Sequence, residues 1–185
     1  MMRATIRALF LLLALASLPS ARADQNDPRL GSLFDRLKSA PDAAAARAAE
    51  LEIWRIWAVT ADDQDRVLLE RGVVAMNGGD FRTARAAYDL LVTRAPEFAE
   101  AWNKRATLFY LIGDDAASIA DVERTLALEP RHFGALSGLG LIYTRQEQPE
   151  KALRSFEAAL AIHPFLPGAR ASVEALREQL KGDPT

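Results

Sequence analysis

The stretch Phe133 to Leu166, FGALSGLGLIYTRQEQPEKALRSFEAALAIHPFL, carries two apolar runs at helical spacing and closes on Pro164. Leu136, Leu139, Gly140 and Tyr143 line one face of a first helix; Ala152, Phe156, Ala159 and Leu160 line one face of a second. Helix, short turn, helix, proline describes a helical hairpin, and the same order recurs upstream. Phe34, Leu68, Trp102 and Leu136 stand 34 positions apart, and Pro28, Pro96, Pro130 and Pro164 fall on the same interval. A period of that length, kept residue after residue, marks a stacked array in which each hairpin buries its apolar face only against its neighbours.

The units span 65–98, 99–132 and 133–166. Val67, Leu68, Gly72 and Ala75, then Ala84, Tyr88, Leu91 and Val92, form the stripes of the first. Trp102, Ala106 and Phe109, then Ile119, Val122 and Leu126, form those of the second. Gly79-Asp80 and Gly113-Asp114 lie one period apart, so a glycine ends one helix and an aspartate caps the next. Gly72, Ala106 and Gly140 share a slot on the first helices, facing Ala84, Ser118 and Ala152 on the second. Small residues there let the helices approach, and Tyr88, Trp102, Tyr143 and Phe156 are expected in the grooves between hairpins.

The third unit, Leu136-x2-Leu139-Gly140-x2-Tyr143 followed by Ala152-x3-Phe156 and Pro164, resembles the tetratricopeptide repeat, with Leu136 where that family has tryptophan. The second resembles it through Trp102, Ala106, Phe109 and Pro130, departing at Arg105, Ser118 and Val122; the first through Gly72, Ala84, Tyr88 and Pro96, departing at Arg71 and Ala75. The resemblance implies an all-α fold, a right-handed superhelical stack of hairpins with N- and C-terminal capping helices. It also implies a groove on the concave face of the first helices that takes an extended peptide or a partner helix. The residues it assigns there are Arg66, Leu69, Val73, Met76 and Asn77, then Asn103, Lys104, Thr107 and Tyr110, then Ser137, Leu141, Thr144 and Arg145. Gly134 and Gly138 leave room for a backbone or another helix. One subset of the family grips a C-terminal carboxylate with lysine, asparagine and arginine; this chain has Leu69, Val73, Lys104, Gly134 and Gly138 in those places.

The two ends read differently. Arg3 and Arg7, the apolar run Ala8 to Leu18 and the site Ala21-Arg22-Ala23 predict a cleaved export signal over 1–23, and the run is shorter than the roughly 20 residues that span a bilayer. Residues 24–64 keep the period but carry Lys38 and Glu50 at the small slots and Pro41 within the first helix. They read as a degenerate fourth hairpin serving as the N-terminal cap, the alternative being a helical pair packed in another way. Residues 167–181 form an amphipathic C-terminal cap, with Ala169, Val173, Leu176 and Leu180 on one face, and 182–185 a tail.

With no cysteine, the chain has neither disulfides nor thiolate chemistry. Its net charge is −2 with acids and bases interspersed, which disfavours nucleic acid; the leader holds three arginines and no acid, so the rest is more acidic still. His132 and His163 have no second ligand at metal spacing, and the paired acids at Asp62, Asp63 and Asp65 and at Asp114 and Asp115 fall at helix starts, so no metal, cofactor or catalysis is expected. Trp54 and Trp57, at i and i+3 beside Ile53 and Ile56, either pack the cap or form a second docking patch. The chain therefore reads as a periplasmic, non-catalytic adaptor or scaffold of the bacterial envelope. The competing readings are an assembly subunit that uses its outer surface and a hydrolase hidden among the repeats.

Overall fold

The computed structural model describes residues 24–182; the expected leader, 1–23, and residues 183–185 lie outside that span. After a short 3-10 turn at Asp24–Asn26, the described chain is a succession of α-helices: α1 Arg29–Lys38, α2 Ala43–Trp57, α3 Asp63–Asn77, α4 Phe81–Arg94, α5 Ala99–Leu111, α6 Asp115–Leu128, α7 Phe133–Arg145, α8 Pro149–Ile162 and α9 Ala169–Gly182. The three hairpins are α3–α4, α5–α6 and α7–α8. α9 packs on α8 and takes in Gly182, which the sequence reading assigns to the tail.

Capping sets where each helix begins. Asp62, Asp80 and Asp114 accept backbone N–H bonds at the starts of α3, α4 and α6, and His132 does the same for α7 through Nδ1. The turns inside the hairpins need a left-handed residue, supplied by Gly79 at φ 76° and Gly113 at φ 82°; one period on, Glu147 adopts φ 56° without glycine's freedom.

Close helix approach depends on a pairing that the repeat pattern leaves open. A Cβ on Gly72 would lie 2.2 Å from the Tyr88 ring, and one on Gly140 2.8 Å from the Phe156 ring. Each ring lies over the glycine of its own hairpin and also meets the next element, Tyr88 sharing a core with Ala101 and Leu108 and Phe156 with Ala169 and Val173, so both fill the grooves expected from sequence. In the middle hairpin the aromatic is replaced by Val122, which leaves space for the methyl of Ala106; both are buried in one cluster with Ala135.

α1 and α2 do not stack in front of α3. Leu30, Leu33, Phe34, Leu37, Ile53 and Trp57 form a core with Phe133, Ile162, Phe165 and Leu166, so the pair lies along the loops that lead into α7 and α9. Gln25 extends the seam to the loop before α5, where Nε2 donates to the Glu97 carbonyl at 2.6 Å. This corrects the reading of a degenerate fourth hairpin capping the array: the structure has the alternative, a helical pair packed in another way. The reason lies in the small slots: Lys38 is exposed, Glu50 is buried among polar partners, and Ala46 and Ala49 supply the close contact instead.

Gly140→Ala should lower stability by about 1–3 kcal/mol through the clash with Phe156. Adding Phe156→Val, which reproduces the Ala106–Val122 pair, should recover part of that loss. Urea unfolding of the two variants checks this, and an unchanged Gly140→Ala midpoint would mean the helices do not approach there.

Candidate functional site

α3, α5 and α7 neighbour one another and line the concave side of the array. Between α5 and α7 lies a cavity of about 240 Å³, walled by Asn103, Thr107 and Tyr110 from α5 and by Ser137, Gly138 and Leu141 from α7, with Ala106, Val122 and Ile142 at its base. Gly138 leaves the cavity its room on the α7 side, since the place its Cβ would take is open space. Its lining is mostly apolar with a few amide and hydroxyl groups, the usual chemistry of a site that seats a side chain and fixes its orientation.

The polar groups around it are already organised. Glu100 is buried, and its carboxylate receives Asn103 Nδ2 at 2.9 Å, Lys104 Nζ at 3.0 Å and the His132 ring at 3.1 Å. Because Nδ1 of His132 accepts the Ala135 N–H, Nε2 carries the proton and donates to Glu100. Burial alone would raise the pKa of Glu100, but His132 and Lys104 outweigh it and hold the carboxyl below its ordinary value. Tyr110 is half-buried under the Arg145 guanidinium, 3.9 Å from its ring centroid. Arg145 also donates to the Tyr110 carbonyl at 2.8 Å and pairs with Asp115, so it braces the tyrosine rather than standing free.

Of the residues expected in the groove, Asn103, Thr107, Tyr110, Ser137 and Leu141 meet at this cavity. Arg66, Leu69 and Val73 line a separate hollow of about 380 Å³ beside α3, with Ala58, Val59 and Thr60 of the α2–α3 link. Met76 packs into the first hairpin's core, Asn77 is exposed, and Lys104 is tied to Glu100. Thr144 lines a third, polar hollow between the α7–α8 turn and α9. Leu166 reaches the central cavity without having been expected there. Its register gives it away, since it stands one period after His132 and two after Phe98, both fully buried.

Trp54 and Trp57 do not form an exposed patch. Trp57 is 2% exposed and stacks on the His132 ring at 4.2 Å and 9°, while Trp54 sits edge-on to Trp57, His132 and Phe133. A Cβ on Gly134 would lie 2.6 Å from the Trp54 ring, so this glycine holds open the seat of the tryptophan. His163 lies on the same seam, 3.6 Å from Glu50, and burial pushes its pKa below the ordinary histidine value. Among the described residues there is no cluster of His, Cys, Asp or Glu able to hold a metal ion, and no helix is long and apolar enough to cross a membrane.

Two family models described as tetratricopeptide repeat match residues 69–126 and 133–166. The chain is 33% identical over 157 residues to a TPR repeat-containing protein of Rhizobium etli, a match covering 85% of this chain and 77% of that one. Bovine tetratricopeptide repeat protein 36 is 36% identical over 101 residues, about half of each protein. Among solved structures, MamA superposes with a TM-score of 0.60 at 23% identity, covering 80% of this chain and 84% of its own. The first TPR of RPAP3 bound to the HSP90 peptide SRMEEVD gives 0.61 at 20% identity, covering 64% and 94%.

Proposed function

The chain belongs to the tetratricopeptide repeat family, and from that premise we propose that it is a non-catalytic adaptor that seats an extended peptide or a helix of a partner protein on its concave face. The observation that carries this reading is the cavity between α5 and α7, which gathers Asn103, Thr107, Tyr110, Ser137 and Leu141 around space for one apolar side chain. Peptide binding by structural neighbours such as the RPAP3 domain supports the class of activity. An acidic tail like that HSP90 peptide is not the favoured ligand. Leu69, Val73, Gly134 and Gly138 offer it no charge, and Lys104 is held by the buried Glu100. The fitting ligand inserts an apolar side chain beside Tyr110 and meets the amide of Asn103 and the hydroxyls of Thr107 and Ser137.

We also propose that the adaptor works in the periplasm. The support is the leader pattern of 1–23 and the absence of cysteine from the whole chain. N-terminal sequencing of the protein from envelope fractions should begin at Asp24; full-length chain in the cytoplasm would overturn the localisation.

Tyr110→Ala is expected to weaken a peptide selected on the protein from a displayed random library by about thirty-fold, the loss of roughly 2 kcal/mol typical of a hot-spot residue. Fluorescence anisotropy measures it, with circular dichroism confirming that the array stays folded. Affinity that survives Tyr110→Ala combined with Asn103→Ala would move the site away from this cavity.

A further inference from the structure

We propose that the outer face of α3 is a second docking surface, whose occupant is an amphipathic helix of a partner protein carrying a carboxylate beside its apolar stripe. The repeat itself provides the comparison. Val67 and Val74 are 53% and 72% exposed, whereas one period on Ala101 and Leu108 are both at 0%, and two periods on Ala135 and Ile142 are both at 1%. The later pairs are covered by the second helix of the preceding hairpin: Tyr88, Leu91 and Val92 of α4 share a core with Ala101 and Leu108. No hairpin precedes α3, because α1 and α2 fold onto the loops before α7 and α9. The face keeps the apolar character of a stacking surface without its cover.

The charge pattern says what kind of helix is missing. Arg71 stands one period before Arg105, which pairs with Asp89 of the preceding second helix at 2.9 Å and with Asp121 of its own hairpin at 2.7 Å. Ala87 takes the place of Asp121 in the first hairpin, and Arg71, which acts on the Asp80 carboxylate through the field alone, makes no close ion pair among the described residues. The complement of this face is therefore a helix of α4's kind, with branched apolar residues against Val67 and Val74 and an acid opposite Arg71. This chain's own Asp89 face is occupied by α5, and exposed large apolar side chains are absent from α9. The hollow lined by Val59, Val73 and Val74 runs beside the face and widens the seat.

The test is titration of the methyl-labelled protein with a capped synthetic peptide of residues 80–95, this chain's own α4, followed by NMR. The expected result is shifts confined to the Val67 and Val74 methyls and their surroundings, with a Kd on the order of 0.1 mM, as suits a short helix that must fold to bind. Val74→Asp and Arg71→Glu should each weaken binding at least about tenfold. A peptide carrying Asp89→Lys should recover affinity for Arg71→Glu to within about threefold of the starting value. Arg71 and Val74 are both exposed on α3, and circular dichroism verifies that the protein variants remain folded. No shift at Val67 and Val74 at about 1 mM peptide, or binding indifferent to the charge exchange, overturns the proposal. So does self-association of the protein alone that Val74→Asp abolishes, which would give the face to a second copy.

Discussion

A two-helix hairpin cannot cover the outer face of its own first helix, and most of this structure follows from how that face is covered. In the second and third hairpins α4 and α6 do it, burying Ala101, Leu108, Ala135 and Ile142. At the C-terminal end it is the last second helix that needs a cover, and α9 packs on α8 with Val173 and Leu176 inward and Arg177, Glu178 and Lys181 to solvent. Such polar-backed terminal caps are what a repeat array needs to stay soluble. The N-terminal end departs from that rule: the helices that precede α3 are used elsewhere.

Where they are used explains the centre of the molecule. The indole of Trp57 lies flat on His132, and His132 in turn caps α7 and donates to Glu100, which gathers Asn103 and Lys104 at the edge of the concave cavity. One chain of contacts thus runs from α2 to the polar rim of the proposed ligand seat. Both histidines lie in this seam, and both are packed by aromatic rings, His132 by Trp57 and His163 by Phe133. Buried carboxylates are costly unless paired, and Glu100 meets that condition with three donors. Glu50 meets it less fully, with Arg47 at 3.0 Å, the Trp54 indole at 3.3 Å and His163 only at 3.6 Å. The α2 side of the seam is the looser of the two.

The repeating part of the fold was legible because its determinants are local and periodic. Asp80 and Asp114 cap helices from within the turn, and Gly72 and Gly140 are small because a ring lies over them, so their spacing alone places the hairpins. The five cavity residues are among those that the tetratricopeptide resemblance assigns to the groove. The seat of α1 and α2 was not legible: Phe34 and Trp54 keep the period, but period says which face of a helix is apolar and not which distant surface receives it. Trp54 finds its place through Gly134, a residue whose lack of a side chain reads from sequence as room for a backbone or another helix; the helix proves to be the chain's own α2. The bracing of Tyr110 by Arg145 was not legible for a similar reason, since its partner Asp115 lies in the preceding hairpin and its stacking on Tyr110 has no local signature.

The placement of α1 and α2 is the point on which both proposed surfaces turn, because it borders the cavity and leaves α3 uncovered. Proton–proton NOE spectroscopy of the folded protein tests it directly. The account predicts cross-peaks between the Trp57 indole and the His132 imidazole, and none between α2 side chains and the Val67 and Val74 methyls. Cross-peaks from α2 to Val67 and Val74, with none from Trp57 to His132, would show an ordinary fourth repeat stacked on α3 and contradict it.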